Sequence, residues 1–276
     1  MGRYEGDRAN LLAGDAAEWE CNPTGGIRFI DPDRKNEDTS KASVPSLTDD
    51  FSRAERSYEH ETKGGAMSKL KLNITMSLDG FVAGPDQSQE NPIGVGGQEL
   101  HRWLLPLEAF RVMHGQEGGE VNASTPFAED ILGGAGATIM GRNMFGGGPG
   151  PWDESWTGWW GDDPPYHHPT FVLTSHARDP LEMLGGTTFY FVTDGIESAL
   201  EQARAAAGEK DVSLGGGASV AQQYLAAGLL DEIVVSVVPV MLGSGARLFE
   251  NVGDAQLEQV ESAEAPGVTH IRYVRR

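Results

Sequence analysis

The chain has 276 residues, room for one large domain or two small ones, and carries 21 Lys/Arg against 41 Asp/Glu, a formal net charge of −20. Such a surplus repels phosphodiester backbones and anionic lipid, so no nucleic acid and no membrane surface is expected as a partner. An anionic cofactor remains compatible, because backbone N–H groups and one or two arginines can hold its phosphates locally.

Cys21 is the only cysteine, so neither an intrachain disulfide nor a thiolate metal site can form. That pattern suits a reducing, cytoplasmic setting. The N-terminus lacks a basic start followed by an apolar run, and no apolar stretch approaches the roughly 20 residues that span a bilayer.

Residues 1–66 hold 9 Lys/Arg and 14 Asp/Glu, and residues 67–276 hold 12 and 27, so both parts are acidic, at −5 and −15. The first part scatters its apolar residues among charges, and residues 31–38 (DPDRKNED) can bury nothing. A disordered extension is expected there, or a translated leader ahead of a start at Met67, since Lys63-Gly64-Gly65 can be encoded by a purine-rich stretch of the ribosome-binding kind.

From residue 67 the pattern is that of a folded domain. Residues 70–76 (LKLNITM) alternate apolar and polar, the period of a strand. A glycine-rich loop follows, and Leu100, Trp103, Leu104, Leu107 and Phe110 then recur at helical spacing, predicting a helix over 99–114. A short helix at 127–132 and a buried strand at 137–140 come next. Residues 146–169 form a long loop dense in Trp, Gly and Pro. Strands are predicted at 170–174, 188–192, 212–214, 232–240, 257–263 and 270–274, with helices at 196–207 and 220–227. Strands alternating with helices predict an α/β fold with a sheet covered on both faces.

Three strand ends carry chemistry. LGGGASV (214–220) runs from a strand through three glycines into a helix, where the backbone can approach a phosphate and the helix N-terminus offers unpaired N–H groups. A tight strand-to-helix turn without a ligand explains the glycines equally well. The G-x-G-x-x-G spacing of a Rossmann fingerprint is lacking. MGRNMF (140–145) puts Arg142 where it can pair with a phosphate or sit on a solvated first turn. TSHAR (174–178) adds hydroxyls and two possible cations. Three such ends on one sheet edge fit one extended anionic ligand.

SLDGFVAG (77–84), MGRNMF, LTSH (173–176), LGGGASVAQQYL (214–225) and PVMLGSGARLF (239–249), in that order, resemble the dihydrofolate reductase family in its broad sense, which includes the reductase domain of riboflavin biosynthesis. The resemblance covers Lys69 to Arg276. It implies a mixed, mostly parallel central sheet with helices on both faces, a cytoplasmic NADPH-dependent reductase of a small heterocyclic or carbonyl/imine substrate, and pairing as a homodimer, which the apolar residues 233–238 would support unless they form a buried central strand. It places Gly141, Arg142 and Asn143 on the cofactor, and Thr174 and Ser175 at its adenosine end, with His176 or Arg178 reaching a 2′-phosphate. Gly215, Gly216, Gly217, Ser219 and Val220 then cradle the pyrophosphate.

Hydride transfer to C=N or C=O leaves negative charge on the heteroatom, so an acid must deliver a proton. Glu99 resembles the helix acid that binds the pterin in dihydrofolate reductase, and Asp79 in SLDG is the other candidate. A dipole-stabilised helix carboxylate and an Asp-Gly turn residue are their structural alternatives. Two departures weigh against the riboflavin reaction. Relatives in that pathway usually carry glutamate where this chain has Gly215, and a paired zinc deaminase domain is not expected in residues 1–66, which are too short for it and hold one Cys.

Residues 151–168 hold four of the six tryptophans. They are suited to wall a flat substrate, pack an interface or cover the fold. Adjacent His167 and His168 point apart and lack convergent partners, so no metal site is expected. The alternative from another class is a non-catalytic protein that binds a nucleotide or folate-like ligand on the same fold.

Overall fold

Alternation in LKLNITMS builds the strand around which the sheet is assembled, with Leu70 and Leu72 fully buried on one face and Thr75 and Ser77 buried on the other. The computed structural model describes residues 68–88 and 91–276, together with two three-residue strands, Trp19–Cys21 and Ile27–Phe29, that pair antiparallel. Otherwise the expectations for residues 1–66 and for Met67 lie outside the described residues.

The strands of the main sheet are β1 (Leu70–Ser77), β3 (Ala137–Gly141), β4 (Pro169–Leu173), β5 (Leu181–Glu182), β6 (Thr188–Val192), β7 (Val212–Gly216), β8 (Glu232–Val238), β10 (Leu257–Ala265) and β11 (Val268–Arg275). Their order is β10-β11-β8-β1-β7-β3-β4-β6-β5. The six strands from β8 to β6 run parallel, and β11, β10 and β5 are antiparallel to their neighbours. Two short strands, β2 (Phe81–Ala83) and β9 (Ala246–Arg247), pair beside it.

Both faces of the sheet are covered, as expected of a parallel sheet. On one face, α4 (Ile196–Ala207) and α5 (Ala218–Ala226) pack Ala199, Leu200, Ala203, Ala221, Tyr224 and Leu225 against Leu70, Leu72, Ile139 and Phe171. The opposite face carries two clusters. Leu100, Trp103, Leu104 and Leu107 join Ala128 of α2 (Thr125–Leu132) over Val238. Phe145, Trp156 and Trp159 close over Met140, Val172 and Phe189. The mixed, mostly parallel sheet with helices on both faces is the fold that the resemblance implied.

Two expectations are corrected. Residues 99–114 do not form one helix: a 3-10 turn, Gly97–His101, is followed by turns and then by the short α1 (Glu108–Met113). Pro106 supplies the reason, since it lacks an N–H and its ring collides with the carbonyl four residues back. Second, the apolar run 233–238 lies inside the sheet between β1 and β11, so its composition reflects burial on both faces and says nothing of dimerisation.

Candidate functional site

A cavity of about 820 Å³ opens at the carboxyl ends of β3, β4, β6 and β7 and extends along β1. At its floor, β7 turns into α5 through Gly216 (φ +120°) and Gly217 (φ +80°), values that L side chains rarely adopt. A Cβ on Gly217 would meet nothing within 4 Å, and no side chain caps α5, whose first turn lines the cavity. Gly141, at the end of β3, serves close packing instead, since a Cβ there would fall 2.7 Å from Val220 Cγ2 on α5.

Arg142 opens α3 (Arg142–Phe145) beside this floor. Its Nε donates to the Gly148 carbonyl at 3.0 Å and its Nη1 reaches Thr174 Oγ1 at 3.5 Å. Its guanidinium carbon sits 3.7 Å from the centre of the Trp152 ring. Nη2 is buried and has no hydrogen-bond partner, and burial lowers the pKa of the guanidinium from its ordinary value. A buried donor on a cation without an acceptor is costly unless an anion meets it.

The other half of the cavity is lined by Asn73, Thr75, Val82, Gln87, Ile93, His101, Trp103 and Leu104, and Trp159 and Trp160 also line the cavity. Thr75 Oγ1 already accepts from Trp103 Nε1 at 3.1 Å. Asn73 Oδ1 is buried without a partner. Burial lowers the pKa of His101 below its ordinary value, so its imidazole is neutral at pH 7.

Of the residues anticipated for the cofactor, Gly141, Arg142, Asn143, Thr174, Ser175, Gly215, Gly216, Gly217, Ser219 and Val220 all line this cavity. His176 stands just outside, its Nδ1 against Ser175 Oγ at 3.1 Å. Arg178 turns away: it donates to the Glu154 and Trp156 carbonyls and pairs with the Glu154 carboxylate at 3.2 Å.

The two anticipated acids are not brought to the cavity. Glu99 pairs with Arg102 at 2.7 Å on an exposed turn. Asp79 holds the turn between β1 and β2: Oδ1 accepts from Ser77 Oγ at 2.6 Å and from Leu242 N, while Oδ2 accepts from Gly243 N at 2.7 Å. Those bonds, that from Ser77 first, hold its pKa at about 2. SLDG and PVMLGSGARLF are thus two halves of one clasp, completed by Arg247 Nη1 on the Asp79 carbonyl at 3.0 Å.

His101 and Asn73 were missed from the sequence. Their one available signal was position, His101 on a turn with apolar neighbours and Asn73 as a carboxamide inside a strand. His167 and His168 bond to the Gly185 carbonyl and to Thr138 Oγ1, and among the described residues no three metal-ligating side chains converge.

Fold and cavity together define an α/β protein whose cavity opens at the carboxyl ends of parallel strands, where β7 lies between β1 and β3. The chain belongs to the RibD C-terminal domain family, whose model matches residues 68–271. That membership points to a reductase. No curated protein matches the sequence. Among solved structures, the chain is similar to a protein assigned to riboflavin biosynthesis from Shewanella sp. PV-4 (20% identity, 75% of this chain and 99% of that one, TM-score 0.48). It is also similar to dihydrofolate reductase from Enterococcus faecalis complexed with NADP(H) (14%, 76% and 97%, 0.43). The third is a diaminohydroxyphosphoribosylaminopyrimidine deaminase/5-amino-6-(5-phosphoribosylamino)uracil reductase from Thermotoga maritima (11%, 76% and 57%, 0.46). Among the described residues, no helix is long and apolar enough to cross a membrane.

Proposed function

We propose that the chain is an NADPH-dependent reductase of a small heterocyclic or carbonyl/imine compound. The observation that carries this reading is the buried, unpartnered Nη2 of Arg142, on a guanidinium that reaches Thr174 at the end of β4, two strands away from the Gly216-Gly217 turn at the N-terminus of α5. Adjacent strands lie about 4.8 Å apart, so two anion-accepting positions stand roughly 10 Å from each other, a spacing suited to the pyrophosphate and the ribose phosphate of one dinucleotide.

Gly215, Gly216, Gly217, Ser219 and Val220 would hold the pyrophosphate, and Arg142, Thr174 and Ser175 the adenosine end. NADPH bound there supplies a hydride. Val82, Ile93, Trp103 and Leu104 keep water from the adjoining compartment, and Asn73 Oδ1 accepts an N–H from the substrate and orients it. His101, the imidazole or carboxyl side chain that lines the cavity among the described residues, takes the proton-delivering role expected of Asp79 or Glu99 through its protonated minority, so turnover should fall as pH rises.

Titration with NADPH and with NADH, followed by quenching of Trp fluorescence, tests the reading. Saturable NADPH binding supports it, and failure of both nucleotides to bind refutes it. The absence of a lining carboxylate among the described residues also suits a second reading, a nucleotide-binding protein without turnover. Oxidation of NADPH by any acceptor in a screen of cyclic imines and carbonyl compounds rules that out.

A further inference from the structure

The loop between α3 and β4 has no part in the function as argued so far, yet it supplies the surface on which Arg142 rests. We propose that Trp152 is a positioning residue that makes Arg142 a phosphate reader, and so sets the preference between nucleotides with and without a phosphate on the adenosine ribose. This inference rests on the dinucleotide reading above.

An arginine side chain is long and loses considerable rotamer freedom when fixed. At Arg142 that loss is met before any ligand arrives. One face of the guanidinium is covered by the Trp152 ring at 3.7 Å, Nε is held by the Gly148 carbonyl, and Nη1 faces Thr174 Oγ1. What remains of the fork is Nη2, buried and unpartnered, on a side chain that lines the cavity. A planar donor held in this way suits the fixed geometry of a phosphate.

Trp152 is itself fixed on every side. Its Nε1 donates to the His176 carbonyl at 2.7 Å, which ties the ring to the end of β4. Phe145 and Phe191 meet it edge-on at 5.7 and 5.0 Å. The Arg178 guanidinium lies 5.5 Å from its centre, so the indole is placed between two cations. Arg178 in turn is bonded to Glu154 and to the Trp156 carbonyl, closing the loop on itself. Through Trp152 the loop therefore acts on cofactor choice by way of Arg142.

The test is calorimetric titration of the full chain with NADPH and with NADH, which needs no Trp signal. Trp152→Leu keeps apolar packing against Phe145 and Phe191 but removes the stacking face, and Trp152→Phe keeps a ring without the Nε1 donor. The expected result is a loss of NADPH affinity of roughly tenfold in Trp152→Leu with NADH affinity unchanged, and a smaller loss in Trp152→Phe. Adding Arg142→Ala to Trp152→Leu should then lower the NADPH/NADH ratio little further than Arg142→Ala alone. Equal loss for both nucleotides, or no loss for either, overturns the role of Trp152 and leaves the dinucleotide reading standing. A wild-type chain that binds both nucleotides equally has the same meaning. A wild-type chain that binds neither overturns both.

Discussion

Gly217 shows how much one residue can decide at this site. Its φ of +80° strains any L side chain, and a Cβ there would project into open space on the cavity side. Gly217→Val is therefore expected to weaken NADPH binding at least tenfold while the circular dichroism spectrum stays native. Arg142→Ala should reduce NADPH affinity more than NADH affinity, read by the same titration, because it removes a charge-assisted hydrogen bond of about 1.5–3 kcal/mol. His101→Phe fills its volume without a transferable proton. It should leave NADPH affinity within twofold and depress turnover by 10²-fold or more, the usual scale of general acid catalysis. The glycines and Arg142 were legible in the sequence because a strand running into Gly-Gly-Gly-Ala-Ser constrains the backbone locally. Asp79 was misread for the same locality. Its sequence neighbours show a turn, but Leu242 and Gly243, which hold its carboxylate, lie more than 160 residues away.

At the level of elements, long periodic segments were readable and short ones were not. The helix at 196–207 and the strand at 188–192 match the structure residue for residue, because apolar periodicity and tertiary burial agree there. β2, β5 and β9 span two or three residues each, too few for any period to show. The segment 99–114 has a genuine buried stripe in Leu100, Trp103, Leu104 and Leu107, all inside one cluster, but Pro106 divides it into two short pieces. The Asp79 clasp belongs to this scale, since it ties the β1–β2 turn to the segment after β8. Asp79→Ala should lower the melting temperature and leave nucleotide affinity unchanged. Its contribution is present above the ordinary carboxylate pKa of 3.8 and is lost as pH falls toward about 2, so the variant and the wild type should converge in acid.

For the whole molecule, the buried His270 governs the response to mild acid. It is fully buried, bonded through Nδ1 to Ser236 at 2.8 Å and through Nε2 to Ser124 at 2.9 Å, and stacked on Phe127. Burial lowers its pKa from 6.5 to about 4. Between those values the unfolded chain binds a proton that the folded chain does not, so stability falls as pH drops from 6.5 to 4 and is unaffected by this group above 6.5. At 1.36 kcal/mol per unit the full loss is about 3 kcal/mol. Urea unfolding at pH 7.5 and pH 4.5 should show it, and His270→Gln, which retains hydrogen bonding without titrating, should flatten the difference. Sequence alone gave no warning, because His270 reads as a polar residue in a terminal strand and its partners come from α2 and β8.

The place of β7 between β1 and β3 also bears on how the protein is made. Leu70 pairs with Val212, so β1 waits for about 140 further residues to leave the ribosome before it gains that neighbour. Pairings this distant in sequence are slow to form. A chain stalled before residue 212 exposes the facing edges of β1 and β3, and it possesses Arg142 and Thr174 but not the glycine turn that completes the cavity. Nucleotide capture should thus appear abruptly late in synthesis, and ribosome-arrested chains of increasing length, probed for retention on an NADP-linked resin, should gain it only once residues 212–226 have emerged.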